Sequence, residues 1–181
     1  MRDRPLIIKG KAVVLADTDN NMINSIDTDM IFHNKYLHII DVQEMGQYAL
    51  ANLEGWKDFA KRIKTEKWEL LIVGQNFGAG SSRQQAVDCF KSLGIKAIIG
   101  ESFGAIYKRN TINSGMPLIL RDNFDVASIN TGDELILDLK EGKLENLTKK
   151  INVSIKPMSQ VQMDIYLARN IFAYGSIINQ G

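Results

Sequence analysis

Cysteine is almost missing from this chain, since Cys89 is the only one among 181 residues. One cysteine cannot form an internal disulfide, and by itself it cannot supply the several thiolates that an iron–sulfur cluster or a structural zinc takes. Long apolar runs are missing too, and no run reaches membrane-spanning length. The N-terminal stretch "PLIIKGKAVVLADTD" is interrupted by lysines and lacks a convincing small-residue cleavage site, which argues against a signal peptide. We expect a cytoplasmic protein that does not contact membranes.

An excess of charge of one sign is also absent. The chain has 22 basic and 21 acidic residues, so it offers no field that would attract nucleic acid or anionic lipid. Hydrophobic residues make up 45% and charged residues 24%, as in an ordinary globular protein. The length suits one domain, and we expect residues 1–181 to form it.

The apolar pattern predicts a mixed α/β domain with a parallel core. "WELLIVG" has the pattern of a buried strand, "QQAVDCFKSLG" that of a helix and "IKAIIG" that of a second strand. "ESFGAIYKRNTINSG" and "MPLIL" repeat the helix and strand, and a strand–helix–strand order favours parallel pairing. "IIKGKAVVLA" predicts an early strand, and "VQEMGQYALANL" predicts a helix. Short strands are expected in "ELILDL", "KLENL" and "INVSI", followed by one closing helix in "QVQMDIYLARNIF".

A glycine-rich loop, "GQNFGAGSSRQQA" at residues 74–86, separates the first predicted strand and helix of that core. Glycines allow close backbone approach, serines offer hydroxyls, and Arg83 offers a planar fork for carboxylate or phosphate. A P-loop would need lysine where Ser81 stands, and a dinucleotide fingerprint would need glycine at Arg83. The loop therefore predicts an anion site other than a nucleotide site. An alternative is a tight turn in which Ser81 or Ser82 caps the helix.

The loop closely resembles a motif of the aconitase family, G-x-N-F/Y-G-x-G-S-S-R-E, in the form found in small subunits of 3-isopropylmalate dehydratase. "IDTDMIFHNKYL" looks like the early loop of that family, and "IIGESFGAIYKRNTINSGMPLI" is similar to its S-F-x-x-I-x-x-x-N segment. The resemblance covers about residues 10 to 120 in order. It implies a three-layer β/β/α swivelling domain, as in the fourth domain of aconitase.

The resemblance also implies a function, the reversible dehydration and rehydration of a hydroxy acid at a 4Fe-4S cluster. Because this chain has one cysteine, the cluster would be held by a large iron–sulfur subunit as partner. By motif position, Ser81 resembles the alkoxide base and Ser82 a substrate-binding neighbour. Arg83 resembles the arginine that holds a carboxylate and steadies the serine anion. Asp29 resembles the acidic residue paired with a histidine of the other subunit; a turn or cap role is the alternative.

Departures from the family pattern concern the substrate. Gln84 stands where glutamate is usual, and His33 and Lys35 stand where proline and arginine are common. His38, after "YL", stands where an arginine in the resembling enzymes suits an extra carboxylate. We expect isopropylmalate or a shorter alkyl-malate, with homoaconitate, citrate and methyl-substituted malate as alternatives. His38 could instead be a solvated loop residue that touches no ligand.

Two further interpretations concern the whole chain. It could be a non-catalytic binding module that kept the fold, although the presence of both serines, Arg83 and Asp29 favours the enzyme. Two histidines without a cysteine or carboxylate pattern predict no metal site in this chain. Cys89 is expected to face the core.

Overall fold

The computed structural model describes residues 4–121 and 128–179. Within these ranges the strands form one seven-stranded sheet. They are β1 (Ile7–Val14), β2 (Trp68–Val73), β3 (Ala97–Gly100), β4 (Leu118–Leu120), β5 (Glu134–Asp138), β6 (Lys143–Asn146) and β7 (Ile151–Ser154). Their order across the sheet is β4-β3-β2-β1-β5-β6-β7.

The two halves of the sheet pair in different ways. Strands β1 to β4 are parallel, in a register that places Ile72 opposite Ile99 and Ile99 opposite Ile119. Strands β5, β6 and β7 continue from β1 in antiparallel pairing. The predicted parallel core is confirmed, since buried parallel strands are nearly continuous apolar runs. The predicted additional strands at the back of the chain are confirmed as well.

Helices connect the strands. They are α1 (Thr28–Ile31), α2 (Val42–Met45), α3 (Phe59–Glu66), α4 (Gln85–Ser92), α5 (Ala105–Asn113), α6 (Gln160–Ala168) and α7 (Ile171–Ile178), with 3₁₀ turns at Asn34–Tyr36 and Gly46–Tyr48. Within the described residues, none of these helices has the length and apolar character needed to cross a membrane.

Two hydrophobic clusters lie on opposite faces of the parallel strands. Val13, Leu71 and Ile98 pack with the helices that precede β2 and with α4. Their strand neighbours Ala12, Leu70 and Ile99 pack in the second cluster, together with side chains of β5, β6, β7 and α6. Successive strand residues point to opposite faces, so the curled antiparallel half covers one face and helices cover the other. This is the predicted order of three layers, β/β/α.

The predictions of two helices need correction. The closing helix is two helices, because Arg169 adopts a left-handed conformation with φ 82° and the Asn170 side chain caps α7 at Ala173 N–H. Residues 42–53 form only α2 and a 3₁₀ turn, since Leu50 has φ 57°. Apolar periodicity alone predicts one continuous helix in each segment, and the left-handed residues Leu50 and Arg169 interrupt both.

Candidate active site

The glycine-rich loop leaves the carboxyl end of β2 and runs beside the segment that follows β3. Phe77 N–H donates to Ser102 C=O at 3.1 Å, and Gly104 N–H donates to Phe77 C=O at 2.9 Å. Asn76 N–H donates to Ser102 Oγ at 2.8 Å. The carboxyl edge of a parallel sheet is where α/β folds place ligands, so the loop is fixed at the expected position for a site.

The segment before α1 lies along the other side of the loop. Gly78 N–H donates to Ile26 C=O at 2.7 Å, and Thr28 N–H donates to Ala79 C=O at 2.9 Å. The loop is therefore paired on both sides by backbone hydrogen bonds. This pairing brings Asp29, which follows Thr28, next to the serine–arginine part of the loop although more than fifty residues separate them in sequence.

Glycine is required at two points where backbone segments meet. Gly78 has φ +75°, and a Cβ there would clash with the ring of the fully buried Tyr107. A Cβ on Gly104 would come within 2.5 Å of Gly78 C=O. Only glycine allows both approaches, which explains two of the glycines as packing requirements of the loop.

Arg83 is held in place by Asp29 and by the end of α1. Its Nη1 donates to Asp29 Oδ1 at 2.7 Å and to Phe32 C=O at 3.0 Å. Its Nε and Nη2 have no hydrogen-bond partner in the part of the chain that the structure describes. Anchored by Nη1, the guanidinium keeps donors for a second, external anion, and its planar geometry suits a carboxylate.

Asp29 accepts several hydrogen bonds besides that from Arg83. Asn34 N–H donates to Oδ1 at 3.1 Å and Asn52 Nδ2 donates to Oδ2 at 3.4 Å, while His33 Nε2 lies 3.8 Å from Oδ2. The Arg83 hydrogen bond is the main cause that lowers the pKa of Asp29 below its ordinary value of 3.8. Asp29 is therefore an anion at neutral pH, and it forms an ion pair with Arg83 of the same chain.

The two serines are both exposed and each meets one side chain. Ser81 Oγ lies 3.5 Å from Oγ1 of the buried Thr28, and Ser82 Oγ accepts from Asn110 Nδ2 at 3.1 Å. Thr28 and Asn110 were missed by the sequence interpretation. The sequence does contain a signal for each residue. Thr28 is the central residue of "DTD", and Asn110 is the asparagine of the S-F-x-x-I-x-x-x-N segment.

Neither serine caps the following helix, so that alternative was wrong. α4 begins at Gln85 after Gln84, which has helical dihedral angles and makes no side-chain cap hydrogen bond. The Gln84 side chain donates instead to Asp88 at 3.2 Å. The serine hydroxyls are thus not used by the helix end, and they remain at the surface beside Arg83.

His38 is separate from the other four predicted site residues. Its side chain is exposed, and no hydrogen bond or ion pair within the described residues connects it to them. The next residue, Ile39, is buried in the first hydrophobic cluster and so does not face a ligand. The structure brings Asp29, Ser81, Ser82 and Arg83 together, while a role for His38 stays a prediction.

The residues of this chain do not fit a 4Fe-4S cluster. Cys89 is fully buried on α4, as predicted, and burial raises the pKa of its thiol. Within the ranges that the structure describes, His, Cys, Asp and Glu side chains form no group of three that could hold a metal ion. A buried protonated thiol is neither a ligand nor a nucleophile.

The domain is a mixed α/β fold with one curled sheet. The serine–serine–arginine loop lies at the carboxyl end of the parallel strands, and together these features define a swivel-type domain. The chain belongs to the aconitase family, because the profile of the aconitase C-terminal domain matches residues 11–123. The crystal structure of a 3-isopropylmalate dehydratase from Methanocaldococcus jannaschii superposes with a TM-score of 0.83 at 30% identity, covering 96% of both chains.

Curated relatives agree with this family. The chain is 34% identical to the 3-isopropylmalate dehydratase small subunit of Caldicellulosiruptor saccharolyticus over 93% of this chain and 91% of that one. It is 36% identical to the methanogen homoaconitase small subunit of Methanothermobacter thermautotrophicus over 78% and 79% of the two chains. The predicted resemblance is confirmed, and aconitase-type enzymes are linked to iron–sulfur chemistry.

Proposed function

We propose that the chain is the small subunit of a cytoplasmic hydro-lyase that isomerises 3-isopropylmalate and 2-isopropylmalate, a step of leucine biosynthesis. The single observation that carries the proposal is the Arg83–Asp29 pair, which fixes a guanidinium beside two exposed serines at the carboxyl edge of the sheet. The near full-length similarity to small subunits supports the same assignment.

In this proposal Ser81 is the base. Its alkoxide takes the proton beside a substrate carboxylate, so that the new O–H bond forms on Ser81 Oγ and the electron pair stays on the substrate carbon. A serine hydroxyl is a poor base until cations and donors stabilise its charged form. Arg83 provides such a cation and binds the neighbouring carboxylate through Nε and Nη2, while Ser82, held by Asn110, contributes a hydrogen bond to the substrate.

The partner in this proposal is a large subunit that holds the 4Fe-4S cluster. The proposal is supported by the donor set of this chain, whose only cysteine is buried. The exposed position of both serines agrees with an active site completed by another protein. We therefore derive the role of Asp29 within this chain as the anchor of Arg83, while its outer oxygen can also meet a cationic side chain of the partner.

We expect the chain purified alone to have no dehydratase activity and no stoichiometric iron or sulfide. The cysteine content excludes a complete set of thiolate ligands. Anaerobic purification followed by iron and sulfide analysis measures this directly. Activity should appear on addition of the large subunit of a 3-isopropylmalate dehydratase. A cluster bound stoichiometrically by this chain alone would contradict the two-subunit assignment.

A homoaconitase small subunit is the second candidate, favoured by the 36% identity to the methanogen protein. The two substrates share a malate core and differ in the remaining group, which is apolar in isopropylmalate and carries a carboxylate in homoaconitate. A carboxylate removed from water without a cationic partner is unfavourable. Such a partner at position 38 would suit the tricarboxylate, and this chain has histidine there.

We expect the assembled enzyme to prefer alkyl-malates and His38→Arg to shift the ratio of kcat/KM values toward tricarboxylates. Each ratio is measured on the same preparation with both substrates. His38→Gln, which adds no cation, is the matched control and should leave the ratio near that of the wild type. A wild-type preference for a tricarboxylate would reject the isopropylmalate assignment. An unchanged ratio in His38→Arg would reject the role of His38.

A further inference from the structure

A cleft of about 490 Å³ lies at the end of the sheet opposite the glycine-rich loop. Its walls include Ile8 at the start of β1 and the segments that lead into β3 and β4, at Lys96 and Met116. These are the amino ends of parallel strands, whereas the glycine-rich loop follows the carboxyl end of β2. α4 separates the two places by about 12 Å, because Arg83 precedes its eight residues and Lys91 is in its last turn.

The floor of the cleft is apolar. Four buried side chains form it, those of Ile8, Ile95, Met116 and Tyr166. An apolar floor with a few polar groups beside it is the usual form of a small-molecule site, and the volume of the cleft is in the range of such sites. The floor therefore favours a ligand with an apolar body over a bare inorganic ion.

Four cations surround the cleft, and they differ in their partners. Lys9 and Lys96 form ion pairs with acidic side chains. Arg4 and Lys91 form no ion pair with any residue that the structure describes. A cation beside buried apolar surface is unfavourable unless a partner offsets its charge. The unpaired pair of cations therefore favours an anionic group on the ligand.

Arg4 is half-buried and is held by backbone carbonyls. Its Nη1 donates to Gly115 C=O at 2.6 Å and to Tyr166 C=O at 3.0 Å, and its guanidinium lies over the Tyr166 ring. Burial is the main cause that lowers the pKa of Arg4, and the charge of Arg169 lowers it further. Its Nε and Nη2 have no hydrogen-bond partner within the described ranges. The guanidinium is thus oriented and keeps donors that suit a carboxylate.

Helix ends offset only part of the positive charge. Lys91 Nζ donates to Ser114 C=O at 2.9 Å, just beyond α5, and Arg4 binds carbonyls at the ends of α5 and α6. The C-termini of α4, α5 and α6 each carry about half a negative charge, whereas Arg4, Lys91 and Arg169 together carry about twice the sum of the three. The remaining positive charge is available to a ligand.

We propose that this cleft is a second ligand site, which binds a small aliphatic carboxylate. Arg4 and Lys91 hold the carboxylate group, and the alkyl chain lies on Ile95, Met116 and Tyr166. Inorganic phosphate would meet the same cations but would leave the apolar floor uncovered. The site is independent of the proposed function, because none of the candidate catalytic residues lines the cleft.

An amide-resolved NMR titration of the purified chain with hexanoate tests the proposal, because it shows both affinity and position. We expect saturable shifts at Gly94, Ile95 and Met116, which line the cleft. Hexanamide has the same shape without the charge and should bind on the order of 10-fold more weakly, the usual cost of losing a charge-assisted hydrogen bond. Phosphate, which lacks the alkyl chain, should also bind more weakly than hexanoate.

Lys91→Gln removes one of the two cations from an exposed position and should weaken hexanoate binding on the order of 10-fold. Lys91 is a better choice than Arg4 for this test, because Arg4 also holds two backbone carbonyls. The melting temperature should change little. Lys64→Gln, at an exposed position on α3 outside the cleft, is the matched control and should bind hexanoate as the wild type does.

Four results would overturn the proposal. They are the absence of saturable shifts at the cleft, shifts confined to the loop around Arg83, hexanamide or phosphate binding as tightly as hexanoate, and an unchanged affinity in Lys91→Gln. All of these measurements use the chain without a large subunit or a dehydratase substrate. A negative result would therefore leave the proposed function intact.

Discussion

Replacing Ser81 by alanine should reduce kcat of the assembled enzyme on the order of 100-fold to 10,000-fold, the usual cost of losing a proton-transfer group. The substitution removes Oγ without changing the glycines that shape the loop. Ser81 is exposed, and among the described residues its only side-chain hydrogen-bond contact is the 3.5 Å approach to Thr28 Oγ1, so folding should be unaffected. Steady-state kinetics of the reconstituted enzyme, with assembly checked by sedimentation, measure the effect.

Two comparisons make the Ser81 experiment specific. Ser82→Ala removes a hydroxyl of the same size one residue away and should reduce kcat/KM less, because we assign Ser82 to binding. Thr28→Val removes the hydroxyl beside Ser81 and should cause an intermediate loss, as expected of a residue that positions Ser81. Near-normal turnover in Ser81→Ala would show that another group is the base.

The sequence predicted the elements of this fold wherever an element is buried on both sides. The strands around Ile72 and Ile99 are continuous apolar runs, and their pairing follows from the intervening helix. The helices at the surface were less predictable. Arg169 and Leu50 adopt left-handed conformations, which are uncommon for arginine and leucine and so are not predicted from the sequence. Each residue interrupts a pattern of apolar spacing that by itself predicts a longer helix.

The candidate site was predictable in its members but not in its contacts. Motif position predicted Asp29 and Arg83 as site residues, but nothing local in the sequence shows that they contact each other, because backbone pairing between distant segments brings Nη1 and Oδ1 to 2.7 Å. The hydrogen bond from Asn110 Nδ2 to Ser82 Oγ likewise joins residues that are distant in sequence. The helix cap was mispredicted because serine is a good cap in general, whereas α4 starts beyond both serines, at Gln85.

Arg83→Lys should reduce kcat/KM on the order of 100-fold, because lysine keeps the charge but loses the planar fork. One nitrogen of Arg83 donates to both Asp29 and Phe32 C=O. The other two nitrogens have no hydrogen-bond partner among the described residues, and we propose that they bind the substrate carboxylate. A lysine ammonium can satisfy the protein partners or the substrate, but it cannot reproduce both geometries. The loss should therefore appear mainly in KM. Arg109→Lys, at an exposed position on α5, is the matched control and should leave both constants unchanged.

The same variant should change the titration of Asp29 in the isolated chain. The Arg83 hydrogen bond lowers the pKa of Asp29 below 3.8, so the pair stabilises the fold above that pH and loses its effect as pH falls through the lower folded value. Arg83→Lys should move the pKa of Asp29 back toward 3.8, and Arg109→Lys should not. Carboxyl NMR titration measures the pKa without substrate or partner. An unchanged Asp29 pKa together with unchanged kcat/KM would show that Arg83 neither pairs with Asp29 in solution nor binds the substrate carboxylate.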